Sequence, residues 1–274
     1  MTTTLERTLT HLLLIVFSVV AVYPLVAILF LALSRQTDLV TGFTLPTDPS
    51  FDAFATAWQK GGFDRALVNS AIVAVTVTVG AVALSILAGY GLGTMRFPGA
   101  NLIFVVLMAG LVIPYESLII PLYRTFRDAG LTESYAALIL PQIGVSVCLG
   151  TFWMRAFFRS SPRAVIEAAR MDGAGHLRTL VGVLLPSALP ASLTLAALVF
   201  MYTWNDYLLA LVMNPTGDLL TAPLALGYFS GAQRYSDQTV IAAAAVLVAL
   251  PVVAAYIVLQ RRFVRGFLTG AVRE

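Results

Sequence analysis

The sequence predicts an all-α membrane protein of six transmembrane helices, with one short helix held outside the bilayer between two of them. Three observations lead there. Hydrophobic residues fill 59% of the 274 positions and charged residues only 11%, against roughly 25% charged in soluble domains. Six stretches, at 12–33, 71–92, 102–123, 135–157, 191–213 and 239–259, are apolar over lengths that can cross a hydrocarbon core, which takes about 20 helical residues. The remaining charges collect in the connections, and the mean hydropathy is +0.87. A soluble fold must show much of its surface to water and could not hide so much apolar side chain. Lipid lifts that requirement, and because it offers the backbone no hydrogen-bond partner, the spans must be helical.

The first stretch follows a single basic residue, Arg7, and Ala32-Leu33-Ser34 has the look of a cleavage site. Its length exceeds the roughly 7–15 apolar residues of a signal-peptide core, so it reads as a retained first helix. Residues 34–65 then form a long connection punctuated by Pro46, Pro49, Gly61 and Gly62, with room for a short interfacial helix between Asp52 and Lys60. The second span carries Ala81, Ser85, Gly89 and Gly93 at four-residue steps. That spacing puts the small side chains on one face, where a partner helix can approach closely. Gly89-Tyr90-Gly91-Leu92-Gly93 lacks the preceding strand and following Lys-Ser/Thr of a phosphate-binding loop, so packing explains it better. Pro24, Pro141 and Pro251 lie in or near spans and predict local kinks. Cys148 is the single cysteine and reads as a small buried hydrophobe.

Orientation follows from the basic residues. With the N-terminus inside, 11 of the 17 Lys and Arg fall on the cytoplasmic side, among them Arg7, Arg96, Arg155, Arg159, Arg163, Arg170, Arg178, Arg261, Arg262, Arg265 and Arg273. Arg234 falls outside, and both termini are expected in the cytoplasm of a cell (inner) membrane protein. The largest inside segment, about 155–190, is too charged to be embedded. Within it, Ser161-Pro162 has the form of a helix start, a capping hydroxyl followed by a residue whose missing N–H costs nothing there. Gly173 is a natural stop. Between them lie about three turns, with Arg163 four residues before Glu167 and Arg170 three after. Ala168, Ala169, Gly173 and Ala174 are small enough for close contact. Such a helix is either a rigid lever docked in a partner or an amphipathic helix lying on lipid headgroups.

Glu167-Ala168-Ala169, three residues, Gly173, nine residues, then Val183-Leu184-Leu185-Pro186 resembles the EAA signature of ABC importer permeases, departing only in Val183 for the usual Ile. Beyond the loop, Asn69-Ser70, Arg96-Phe97-Pro98-Gly99, Ile120-Pro121-Leu122-Tyr123, Trp204-Asn205-Asp206-Tyr207 and Gln260 to Gly266 are similar to the maltose-type carbohydrate branch. The resemblance implies a type I importer permease fold, with residues 1–65 as a first helix and external segment and 66–274 as a five-helix core. It implies pairing with a second permease subunit, two ATPase subunits and an external solute-binding protein that delivers a sugar. ATP and Mg would sit on the ATPase partners, and this chain itself would bind no cofactor and be no enzyme. Residues Glu167, Ala168, Ala169, Asp172, Gly173 and Ala174 would form the coupling helix seated in an ATPase cleft.

Charges at membrane depth are costly, so each one within a span invites a functional reading. Glu116 follows Pro114-Tyr115 and either faces a central cavity or snorkels outward. Trp204, Asn205, Asp206 and Tyr207 combine aromatic faces that can cover a pyranose ring with acceptors for its hydroxyls; the other reading is that they clamp helix contacts or gate the outer end. Tyr228 and Phe229 are weaker candidates for touching the binding protein. His11 and His176 belong to no metal-ligand cluster, and no nucleophile–base arrangement suggests a hydrolase. A secondary transporter or channel is the rival class, but two acids are a thin supply of coupling-ion groups and the halves show no clear repeat.

Overall fold

The computed structural model describes residues 4–35, 45–46, 48–231 and 237–271, with side chains between Glu6 and Val258. Arg234, Arg273 and Glu274 lie outside the described residues, as do the side chains of the 260–266 motif. The helices are α1 (Thr4–Leu33), α2 (Asp52–Gly61), α3 (Phe63–Thr94), α4 (Ala100–Val112), α5 (Tyr115–Asp128), α6 (Tyr135–Ser160), α7 (Arg163–Met171), α8 (His176–Thr179), α9 (Leu185–Trp204), α10 (Leu208–Met213), α11 (Ala222–Gly231) and α12 (Gln238–Ala271). Five helical stretches among the described residues are long and apolar enough to cross a bilayer, and the bent pair α4–α5, counted as one span, brings the number to six. The protein is a multi-pass, all-helical membrane protein.

Two compact units are present, Met1–Arg65 with Ala225–Pro251 and Ala66–Leu224 with Val252–Glu274. In the first, α1 presents apolar side chains all round, with Leu12, Leu14, Ile15, Phe17, Val20 and Leu25 exposed. Only lipid or another protein can satisfy such a surface. The expected interfacial helix is α2, whose Ala53 and Ala57 are buried. It ends on Gly62 in the left-handed region (φ 62°), where a side chain would be strained. Phe63 packs edge-on against Phe229 at 5.9 Å, which places Phe229 in the packing of this unit.

The second unit is held by a core that includes Val77, Ala81, Leu138, Met154, Leu184 and Leu195. Its tightest seam joins α3 to α6. A Cβ added at Gly89 would sit 2.6 Å from the Met154 Cβ and 2.8 Å from the Arg155 backbone nitrogen. One at Gly93 would lie 3.1 Å from the Phe158 Cβ, and the Ser85 hydroxyl occupies the space that a side chain at Gly150 would need. The small-residue stripe therefore lies against α6, with Ala81 fully buried above it. Arg155 fastens the seam, its Nε donating to the Leu92 carbonyl at 3.1 Å while its guanidinium lies 3.7 Å over the Phe104 ring of α4. Farther along α3, Asn69 donates to the Leu220 carbonyl at 2.8 Å and accepts from the Tyr135 hydroxyl at 2.7 Å. Beside it the Ser70 hydroxyl accepts the Ala222 N–H at 2.8 Å.

Two spans differ from expectation. The third is not one straight helix over 102–123: it breaks at Ile113–Pro114, and its two halves are bent by 98°. Pro114 has no N–H and bars the helical conformation from the residue before it, so Ile113 is extended (φ −73°, ψ 122°). The prolines expected to kink, Pro24, Pro141 and Pro251, lie inside helices that continue past them. The fifth span runs over His176–Trp204, not 191–213. Prolines at 186 and 190 make this stretch look broken. A π-helical turn at Leu180–Leu184 carries the helix through, the Leu185 N–H reaching back five residues to the Leu180 carbonyl just before Pro186 removes a donor.

Candidate functional site

The break between α4 and α5 and the end of the fifth span meet at one place. The first residues of α5, the last turn of α9 and the non-helical link Asn205–Tyr207 line an open cavity of about 640 Å³. Tyr115, Glu116, Asn205, Asp206 and Tyr207 supply its polar lining, and Ile119, Leu198, Met201 and Leu208 much of its apolar wall. Irregular backbone survives at membrane depth only where protein or a water-filled cavity covers it, and transporters place substrate sites at such discontinuous helices.

Each polar group has a local reason to be there. Asp206 accepts the Leu209 N–H at 3.0 Å and so caps α10. Asn205 turns its amide back onto the Met201 carbonyl at 2.8 Å, closing the C-terminus of α9. The Tyr115 phenol is buried beside the Asp206 carboxyl without a well-formed hydrogen bond. Glu116, in the first turn of α5, is exposed to the cavity.

The structure brings Glu116, Asn205, Asp206 and Tyr207 together on this cavity. Trp204 is not in the lining: it is 3% exposed and stacks on Phe200 at 5.7 Å. Tyr115 and Tyr202 join the site without having been singled out from sequence. Pro114 was the signal for the first, since it fixes where α5 begins. No local pattern marked Tyr202, which lies in the last turn of α9 just before the link.

The second candidate site is α7. Its start is not capped by Ser161, whose hydroxyl instead donates to the Phe157 carbonyl at 3.3 Å at the end of α6; Pro162 occupies the capping position and offers no side-chain acceptor. The other end is well closed. Gly173 adopts φ +77°, and the N–H groups of Asp172, Gly173 and Ala174 bond the carbonyls of Ala168, Arg170 and Ala169 at 3.0, 3.0 and 2.9 Å. Ala169 is buried, whereas Glu167, Ala168, Asp172 and Gly173 are exposed and Ala174 is half-buried. Among the described side chains Glu167 pairs with neither Arg163 nor Arg170. Met171 is 88% exposed and Leu177 68%.

A turn of chain joins α7 to the helix that ends at the cavity. From His176 to Trp204 that helix spans 29 residues, about 43 Å at the α-helical rise. The two candidate sites thus sit at opposite ends of one rod.

The model of the binding-protein-dependent transport system inner membrane component family matches residues 81–269, which contain both sites. The chain belongs to that family. Within it, the trehalose transport system permease protein SugB of Mycobacterium tuberculosis is 34% identical over 254 residues, covering 92% of this chain and 93% of that protein. The diacetylchitobiose uptake system permease protein NgcG of Streptomyces coelicolor is 32% identical over 267 residues, covering 97% and 88%. In a crystal structure of a bacterial ABC transporter involved in the import of the acidic polysaccharide alginate, one chain superposes with a TM-score of 0.80 over 96% of this chain and 99% of its own, at 24% identity. That likeness speaks for the fold. As a family member the chain is a membrane component of a multi-subunit transport system.

Proposed function

We propose that this chain is one of two permease subunits of an ATP-driven sugar importer fed by an external solute-binding protein, with both termini in the cytoplasm. The observation that carries the reading is the rod with a closed, exposed helix at one end and, at the other, an open cavity where its last turn meets the break between α4 and α5. A force applied to α7 cannot be absorbed by fraying, because its C-terminal carbonyls are bonded and Gly173 fixes the turn. Force therefore passes through the π-helical turn into α9 and to the Asn205–Tyr207 link. Closure of an ATPase dimer on ATP and Mg would supply that force through the Glu167–Ala174 surface, and the spans would respond as a rigid-body transition. The coupling needs contacts that differ between the two states, and the unpaired Glu167 together with the exposed Met171 provide polar and apolar groups for them. The sugar assignment rests on the trehalose and diacetylchitobiose systems of the relatives and on the tyrosine, amide and carboxyl lining of the cavity.

The test is a photo-crosslinker at Met171 in the assembled transporter. It should capture an ATP-hydrolysing subunit, and reconstituted vesicles should hydrolyse ATP faster when sugar-loaded binding protein is added. Solute movement by the purified chain alone, with no ATPase captured, would refute the reading.

A further inference from the structure

Glu116 gives the cavity a sign. Of the residues that line it, two are acids and none is Lys, Arg or His. Asp206 has one oxygen committed to the Leu209 N–H, and the Asn205 amide N–H is engaged with the Met201 carbonyl. Glu116 is left as the exposed charged acceptor. The backbone acts in the same direction. Glu116 stands in the first turn of α5, where it offsets the positive end of that helix, which would otherwise attract an anion. The C-terminal turn of α9, the negative end of its dipole, opens on the same cavity. The N-terminus of α10 is already closed by Asp206. Apolar walls of low dielectric focus such a field.

We infer that this wall is a charge filter set by Glu116: it admits neutral and amino sugars and rejects sugar phosphates and uronates. The inference rests on the cavity belonging to the transport pathway, as proposed above, and adds the class of solute that can use it. Sugar hydroxyls and ammonium groups are donors and match an acceptor-rich lining. A phosphate or carboxylate needs donors or cations, which this lining does not supply.

Selection by the binding protein would mask the filter in an uptake assay, so the experiment uses charged thiol reagents. Asn205→Cys is introduced in a Cys148→Ser background and the full importer complex is purified, which opens both mouths of the pathway to reagent. Modification rates with a cationic methanethiosulfonate (ethylammonium) and an anionic one (ethylsulfonate) are each divided by the rate for free 2-mercaptoethanol. The expected cation-to-anion ratio is about tenfold, falling several-fold when Glu116→Gln is added. Tyr202→Cys, at a side chain 73% exposed, serves as the reporter if the first variant does not assemble. A ratio near one, or a high ratio that Glu116→Gln leaves unchanged, overturns the filter while leaving the pathway intact. Failure of both reagents to react in an assembled complex overturns the pathway reading and the filter with it.

Discussion

Adding a single methyl group at Gly89 should force α3 and α6 apart. The new Cβ would stand 2.6 Å from the Met154 Cβ, 2.8 Å from the Arg155 nitrogen and 2.9 Å from the Met154 carbonyl carbon. Carbon–carbon contacts are most favourable at about 3.5–4.0 Å, so the shortfall is about 1 Å. Two of the three neighbours are backbone atoms and cannot rotate away. The helix cannot shift freely either, because Arg155 is bonded to Leu92 and lies over Phe104. Overpacking of this kind costs about 1–3 kcal/mol, against a gain of about 0.5–1 kcal/mol from replacing a helical glycine by alanine. Gly89→Ala should therefore destabilise by up to about 2.5 kcal/mol net. Gly91→Ala, two residues along the same helix, meets nothing within 4 Å and should keep the propensity gain. Gly93→Ala, with its nearest contact at 3.1 Å, should fall between them. Thermal unfolding of the detergent-solubilised chain, followed by size-exclusion fluorescence, gives the ranking directly. If Gly89→Ala melts at or above Gly91→Ala, the close seam between α3 and α6 is not what holds these helices together.

Gly173→Val puts a branched side chain at φ +77°, which costs about 1–2 kcal/mol for a residue with a Cβ. It should open the end of α7 and reduce co-purification of an ATPase subunit while membrane insertion is unchanged. Ser70→Ala removes the acceptor for the buried Ala222 N–H and should cost about 1–3 kcal/mol, read as a lowered unfolding midpoint, whereas Ser70→Thr should retain most of the stability. Asp206→Ala strips the cap from α10 and should cost about 0.5–2 kcal/mol. Because the same carboxyl lines the cavity, Asp206→Asn should preserve the cap and the melting temperature yet change uptake kinetics; identical kinetics would leave Asp206 with a capping role alone.

The contrast between α3 and the third span shows what a linear pattern can carry. The stripe at Ala81, Ser85, Gly89 and Gly93 was legible because four-residue spacing is a property of the chain itself, and its partner on α6 merely completes it. Pro114 was equally visible, but an apolar window averages over both arms of a bend, since lipid solvates a straight and a broken span alike. The fifth span failed in the opposite sense: Pro186 and Pro190 look like breaks, yet a π-helical turn before them keeps the backbone bonded. Whether a proline ends a helix depends on where the freed carbonyl finds a donor, and that lies outside any local pattern.

The order of residues alone determined that this chain lives in a bilayer, and it predicted that a short helix stopped by Gly173 stands between two spans and that Glu116 and Asp206 are acids within or at the edge of spans. Those properties follow from hydropathy, the backbone freedom of glycine and the cost of burying charge, and each acts over a few residues. Tertiary structure decided that the two acids share one cavity, that Trp204 is turned away from it, and that α7 and the cavity occupy the two ends of one helix. Such neighbours are chosen by how separate helices pack, and the free energy of that packing is spread over contacts between residues far apart in the chain.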